Sequence, residues 1–146
     1  MKFLIRPISA SETRPLRQQI LRPNQHVEEL VYEDDDAGDT LHTGVFLKGQ
    51  LVGIASVFRQ PRTGDKNADA WRVRGMATIQ EVRSQGCGST LLSECIKHVE
   101  NNDGVEIWCN ARVGAVKFYE AHGFKCIGEV FEITGIGEHF VMVKLL

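Results

Sequence analysis

Length, charge and cysteine spacing exclude several classes of protein. With 146 residues, the chain fits a single domain (1–146) that can bury a sizeable core. A net charge of −2 argues against a general nucleic-acid-binding surface. No apolar run approaches membrane-spanning length and no signal-peptide pattern opens the chain, so we expect a cytoplasmic protein without a membrane partner. No cysteines have C-x-x-C spacing, which predicts reduced thiols and no metal site.

The first half of the chain predicts strands and one helix around a polar loop. In chain order these are a strand at 2–8, a helix at 11–21, a loop at 22–39, and a hairpin of strands at 41–47 and 51–58. Ser11 is the expected helix cap, which confines Pro15 to the first turn. The acidic run at 33–36 reads as a solvated loop, with at most a short helix at 27–31 before it.

The second half alternates strands with helices. In chain order these are a strand at 71–79, a helix from residue 88 or 89, a strand at 105–110, a short helix over 115–122, and strands at 125–133 and 140–145. Runs of strands with helices between only some of them predict a mixed sheet covered by helices.

A glycine-rich turn separates the strand at 71–79 from the helix that follows. Arg83, Gly86 and Gly88 spell R-x-x-G-x-G at the start of this helix. The backbone N–H groups of a first helical turn lack intrahelical partners, and glycine lets a phosphate oxygen approach them. A P-loop is excluded because one residue separates the glycines and no lysine follows, and Leu91 replaces the third glycine of a dinucleotide fingerprint. An ordinary strand-to-helix connection is the alternative.

A second motif lies later in the chain. Ala115, Phe118, Tyr119 and His122 fall on one helix face, and Gly123 suits the helix stop. This A-x-x-F-Y helix, ended by Gly-Phe, and the R-x-x-G-x-G turn before it resemble the two signature blocks of the GNAT superfamily of acyl-CoA-dependent N-acyltransferases. The resemblance is specific over residues 71–128.

This resemblance implies both a fold and an activity. The implied fold is a single three-layer α/β/α domain of the α+β class, with a mixed, mostly antiparallel sheet of about six or seven strands. The implied activity is N-acetyltransfer from acetyl-CoA, without a metal, to a primary amine that attacks the thioester directly. The acceptor, a small molecule or a protein amine, stays unidentified. A longer acyl group, a homodimer, and a noncatalytic acyl-CoA-binding sensor or interaction module on the same fold are open alternatives.

The resemblance also assigns coenzyme-binding residues. The strand main chain would pair with the pantetheine arm, the turn amides would bind the pyrophosphate, and a polar residue after the next strand would bond the pantetheine amides. These residues are Met76, Ala77, Thr78, Arg83, Ser84, Gln85, Gly86, Cys87, Gly88, Ser89 and Asn110. For the strand, plain sheet pairing is the alternative, and for Asn110 a turn-forming role.

Tyr119 and His139 are the candidate catalytic residues. The resemblance implies that Tyr119 protonates the departing thiolate, while packing in the core beside Phe118 is the alternative. The strand at 71–79 lacks the glutamate that several relatives use as base, so His139 is the first candidate, ahead of His42 and Glu132. A structural role for His139, with a water chain as base, stays open.

Overall fold

Seven strands and three α-helices build the structure, a computed structural model that describes residues 2–146. The strands are β1 (Phe3–Pro7), β2 (Leu41–Leu47), β3 (Gln50–Arg59), β4 (Ala70–Thr78), β5 (Glu106–Arg112), β6 (Lys125–Ile133) and β7 (Gly137–Leu145). The α-helices are α1 (Ala10–Leu16), α2 (Cys87–Asn101) and α3 (Val116–Ala121). Single 3₁₀ turns occur at Val27–Glu29, Gln80–Val82 and Val113–Ala115, and a π turn at Arg17–Leu21.

The seven strands of residues 2–146 form one mixed sheet in the order β1-β2-β3-β4-β5-β7-β6. Four neighbouring pairs are antiparallel: β1 with β2, β2 with β3, β5 with β7, and β6 with β7. Strands β4 and β5 run parallel where residues 70–72 pair with residues 106–108. The predicted α+β class with a mixed, mostly antiparallel sheet is therefore confirmed.

Contacts within the chain define two compact units. The first unit runs to Phe58 and resumes at Val73–His98, and the second consists of Arg59–Arg72 with Val99–Leu146. The prediction of one domain over the whole chain stays a prediction.

Helices cover both faces of the strands in the first unit. Ala77 of β4 packs with Leu16 of α1 in a buried cluster. The next residue, Thr78, faces the other way: its methyl group and Leu91 of α2 both lie 3.2 Å from the position that a Cβ on Gly53 would take. Because successive side chains of a strand point to opposite faces, α1 and α2 lie on opposite sides of the sheet. This produces the expected three layers within the first unit.

The first helix differs from the prediction at its start and in its interior. Ser9, not Ser11, is the cap: its hydroxyl accepts the N–H of Glu12 at 3.2 Å, and the Glu12 carboxylate accepts the N–H of Ser9 at 2.8 Å. The sequence signal was the capping-box spacing S-x-x-E. Pro15 lies inside the helix rather than in its first turn, and the chain continues as the π turn Arg17–Leu21. Proline removes one backbone hydrogen bond there.

A buried ion pair joins α1 to the polar loop at 22–39. The guanidinium of Arg17, which is fully buried, donates to the two carboxylate oxygens of Asp35 at 2.8 and 2.9 Å and to the carbonyl of Leu30 at 2.9 Å. Asp35 also accepts the backbone N–H of Tyr32 at 3.0 Å. The prediction that the acidic run is solvated is therefore wrong for Asp35, although its neighbours on either side are exposed.

His42 and Ser56 complete this network. The ring Nε2 of His42 donates to the carbonyl of Asp35 at 2.8 Å, the hydroxyl of Ser56 donates to Nδ1 at 2.6 Å, and Arg17 donates to the Ser56 oxygen at 3.2 Å. Burial lowers the pKa of His42, against the opposing effect of Asp35, so the ring is neutral near pH 7. Burial raises the pKa of Asp35, but the hydrogen bonds from Arg17 and Tyr32 and the charge of Arg17 outweigh it and lower that pKa overall. The network is thus one charged pair with a neutral histidine.

Replacing Asp35 by Asn should lower the free energy of unfolding by about 3–5 kcal/mol, because it leaves the Arg17 guanidinium buried without a counterion. Urea unfolding followed by circular dichroism measures this change. Asp36→Asn is the matched control: Asp36 is exposed, so its loss should change stability by less than about 0.5 kcal/mol. Equal effects of the two substitutions would contradict a structural role for the pair.

Candidate functional site

The turn between β4 and α2 presents open backbone in the first unit. Ser84 and Gly86 adopt left-handed conformations with φ of 66° and 86°, and residues 83–86 are exposed. A Cβ added at Gly86 would meet no atom within 4 Å. The main chain at Gly86 can therefore be approached closely by a ligand, as the glycine spacing predicted.

The helix after this turn begins at Cys87, within two residues of the predicted start. The carbonyl of Gly86 accepts both the backbone N–H and the hydroxyl of Thr90 at 3.0 Å. The N–H groups of the first turn after Gly86 consequently have no acceptor inside the helix, and the helix dipole adds partial positive charge there. The exposed Arg83 adds a full charge next to the turn, with its Nε donating to the carbonyl of Thr78 at 3.3 Å.

The last residues of β4 lie in the same unit as the turn. Ala77 is buried in the core cluster with α1, whereas the side chains of Met76 and Thr78 are half-buried. The next N–H along the chain, that of Ile79, is bonded to the carbonyl of Val52 on β3 at 2.9 Å. The structure thus brings the predicted strand residues and the predicted turn residues together in the first unit. Whether their main chain binds a coenzyme stays a prediction.

A cavity of about 130 Å³ opens beside the turn. Strands β1 and β2 and the start of α2 line it, through Phe3, Ile5, Val45, Gln85, Gly86, Cys87 and Thr90. Sequence reasoning missed the strand residues of this wall, because strand periodicity shows which residues share a face but not which helix end they meet.

Tyr119 lies on α3 in the second unit, with only 9% of its surface exposed. Its ring packs edge-on against Phe118 and Phe124, with centroid distances of 5.2 and 5.3 Å. Its hydroxyl is hydrogen-bonded to the thiol of Cys109 on β5. The chain turns away after α3 at Gly123, where φ is 89°. Tyr119 therefore combines aromatic packing with a polar tip held by a thiol, a partner that the sequence did not reveal.

The side chain of Asn110 and the helix residue Tyr119 lie on opposite faces of strand β5. Cys109 bonds to Tyr119, and the next residue points to the other face because side chains alternate along a strand. There Asn110 borders a cavity of about 220 Å³ in the second unit. The other lining residues are Arg62, Thr63, Trp108, Ile127, Gly128 and Val141. The predicted contact of Asn110 with pantetheine stays a prediction.

His139 lies on β7 and is 4% exposed. Its Nδ1 donates to the carbonyl of Gly137 at 2.8 Å, so in the neutral ring Nε2 carries the basic lone pair. The alternatives behave differently: both ring nitrogens of His42 are engaged in the buried network, and Glu132 is exposed on β6. Of these three residues, His139 keeps a basic nitrogen within a largely buried setting.

Two further features are absent from residues 2–146. No group of three or more His, Cys, Asp or Glu side chains is arranged to hold a metal ion there. Within the same residues, no helix combines the length and apolar content that crossing a membrane requires.

The four cysteines should differ sharply in reactivity. Burial raises the pKa of Cys87, and it raises the pKa of Cys95 and of Cys109 to about 12, whereas Cys126 is exposed. Since the thiolate is the reactive form, the native protein should release one equivalent of chromophore rapidly from an aromatic disulfide reagent, and the rest only after denaturation. Cys126→Ser should remove the fast phase. A second fast equivalent would show that a buried thiol is accessible.

Comparison with known proteins yields a family and a relative. Residues 10–146 match the family model described as acetyltransferase (GNAT) domain. A protein from Bacillus subtilis (strain 168), named uncharacterized N-acetyltransferase YitI, is 43% identical, and the match covers 97% of this chain and 95% of that protein.

Solved structures share the fold at low sequence identity. The ribosomal-protein-S18-alanine N-acetyltransferase from Escherichia coli has a TM-score of 0.76 at 15% identity, covering 99% of this chain and 94% of that one. An aminoglycoside 6′-N-acetyltransferase complexed with coenzyme A has a TM-score of 0.74 at 15% identity, covering 97% and 96% of the two chains. The family model and the Bacillus relative together show that the chain belongs to the GNAT family of acetyltransferases.

Proposed function

We propose that this chain transfers an acetyl group from acetyl-CoA to a primary amine, which attacks the thioester directly. The observation that carries the proposal is the sterically open main chain at Gly86, directly before the N-terminal end of the 15-residue helix α2. Family membership supports it, and so does the coenzyme A bound by the aminoglycoside 6′-N-acetyltransferase of similar fold.

The turn suits the pyrophosphate of coenzyme A. A polyanion is stabilised by first-turn N–H donors that have no acceptor inside the helix and by the positive end of the helix dipole. Gly86 keeps the approach free of side-chain atoms, and Arg83 adds a positive charge on the exposed side. The residues from Ser84 to Ser89 would act through their amides rather than their side chains.

The segment of β4 before the turn would bind the acyl arm. Met76, Ala77 and Thr78 offer main-chain groups that can pair with the pantetheine amides and polarise the thioester carbonyl. Because Ala77 is anchored in the core with α1, this segment is held rigidly, which favours a fixed position of the carbonyl.

The reaction moves two protons. A lysine-like amine has a pKa of about 10.4, so only about one molecule in a thousand is neutral near pH 7 and a base must take a proton from the amine. As the N–C bond forms and the C–S bond breaks, the thiolate needs a proton, which Tyr119 would supply from its phenol. The Tyr119 phenol donates to the sulfur of Cys109, which lowers the pKa of that thiol against the larger effect of burial, and the same phenolic proton would pass to the departing thiolate. Nε2 of His139, or a water that it holds, is the candidate acceptor of the amine proton.

Gly86→Glu should weaken acetyl-CoA binding at least about tenfold, because a carboxylate beside the turn repels the pyrophosphate and blocks the amides. Isothermal titration measures the affinity. Gly64→Glu is the matched control, since Gly64 has a similar φ of 81° and equally open surroundings but lies in a different loop. Normal coenzyme affinity of a folded Gly86→Glu protein would disprove the proposed binding of the pyrophosphate at this turn.

Tyr119→Phe should lower kcat about 100-fold, which is the lower range for loss of a general acid, while the affinity for acetyl-CoA stays within about twofold. Thiol release measures turnover, and titration measures affinity. Melting temperature provides the control for folding, because the substitution also removes the hydrogen bond to Cys109. An unchanged kcat would remove Tyr119 from the mechanism.

A further inference from the structure

A guanidinium without an anionic partner lies in the middle of β4. The side chain of Arg74 is half-buried and stacks on the ring of Tyr32, with 3.9 Å between its Cζ and the ring centroid. Arg17 approaches the same ring at 3.8 Å. Within residues 2–146, the side chain of Arg74 forms no ion pair and no hydrogen bond; its contact with the Tyr32 ring is a cation–π interaction. Such a contact holds a guanidinium in place but leaves its N–H donors unused.

Charge near Arg74 is strongly unbalanced. Asp35 is the buried carboxylate of this region, and it already receives two bonds from Arg17, with Arg14 at 3.7 Å. Burial lowers the pKa of Arg74; Tyr32 opposes that effect, the charges of Arg17 and Arg22 add to it, and Asp35 opposes it least. The surroundings of Arg74 therefore carry several guanidinium groups against one carboxylate that is fully engaged.

The backbone next to Arg74 is shaped for this arrangement. Gly75 has a φ of 68° inside the strand, and a Cβ there would lie 3.1 Å from the Tyr32 ring and 3.5 Å from Nε of Arg17. A side chain at this position would crowd the ring, and the positive φ is one that glycine adopts without strain. The Nε donor of Arg17 is itself buried and has no acceptor among residues 2–146. Two guanidinium groups with unused donors thus flank one aromatic ring.

Arg74 is close to the segment that the proposed function assigns to the thioester. It precedes Met76 by two residues and Thr78 by four. A strand rises about 3.3 Å per residue, so these positions are about 7 and 13 Å away along β4. A single small molecule can span that distance, with an anionic group at Arg74 and an amine at the thioester.

We propose that Arg74 determines acceptor specificity by binding an oxyanion, a carboxylate or a phosphate, that the acceptor amine carries. A planar guanidinium held on an aromatic ring offers parallel N–H donors that match such a group in bidentate geometry. The acceptor class is then an anionic amine, such as an amino acid or an ω-amino carboxylate, rather than a polyamine. This inference rests on the proposed function.

Matched pairs of amines test the proposal without any substitution. The first pair is 6-aminohexanoate against hexylamine, and the second is O-phosphoethanolamine against ethanolamine; the two pairs distinguish a carboxylate from a phosphate. Thiol release from acetyl-CoA measures kcat/KM for each amine. We expect the anionic member of at least one pair to be preferred by about 10- to 100-fold, the range for one charge-assisted contact.

Arg74→Gln provides the second arm. It should abolish that preference by raising KM for the anionic amine about 10- to 100-fold, with little change in kcat. The kcat/KM for the neutral amine and the affinity for acetyl-CoA should also change little. Arg74→Lys should restore the preference only in part, because an ammonium cannot bind in bidentate fashion. Lys97→Gln is the control for a lost surface charge, since the Lys97 side chain is 69% exposed on α2, and it should behave as wild type.

The outcomes separate the two proposals. Equal use of anionic and neutral amines, or an equal loss for both in Arg74→Gln, would overturn the role of Arg74 while the acetyltransferase proposal stands. Acetyl-CoA binding without thiol release from any amine of either pair would count against both proposals. A preference that survives Arg74→Gln would assign anion binding to another residue and overturn this inference.

Discussion

The buried pair of Arg17 and Asp35 is the interaction on which the first unit depends most. Removing both charges from water costs several kcal/mol per ion, and only a bidentate geometry with further hydrogen bonds offsets that cost. Here the carbonyl of Leu30, the N–H of Tyr32 and the hydroxyl of Ser56 supply those bonds. Because these bonds satisfy the buried polar groups in one arrangement, the network holds the polar loop at 22–39 in a single position against α1.

The position of this loop also places an aromatic ring against strand β4. The loop carries Tyr32, whose ring receives both Arg17 and Arg74 and lies against Gly75. The structural pair therefore also orients the guanidinium to which we assign acceptor specificity. A loop that was solvated, as its composition suggested, could not hold an aromatic ring against β4.

The two proposed binding functions of the first unit use different parts of the chain. The turn at Gly86 offers main-chain donors, which suit a diphosphate because any sequence with the right glycines can supply them. Arg74 offers a side chain, so its chemistry can differ between proteins that share the same backbone. This division explains why the coenzyme motif was readable from spacing, whereas nothing in the spacing identified the acceptor.

Features that depend on neighbouring residues could be predicted from the sequence alone. The strand–turn–helix segment around Gly86 and the short helix of Tyr119 follow from local periodicity and glycine positions, and the family follows from the resemblance of the two motifs; all were predicted. One local prediction failed: Ser11 was predicted as the helix cap, whereas Ser9 is the cap. Only the tertiary structure decided which of the identical carboxylates at 34–36 is buried and which arginines meet at one tyrosine. Burial and charge pairing depend on residues far apart in the chain, and no local pattern records them.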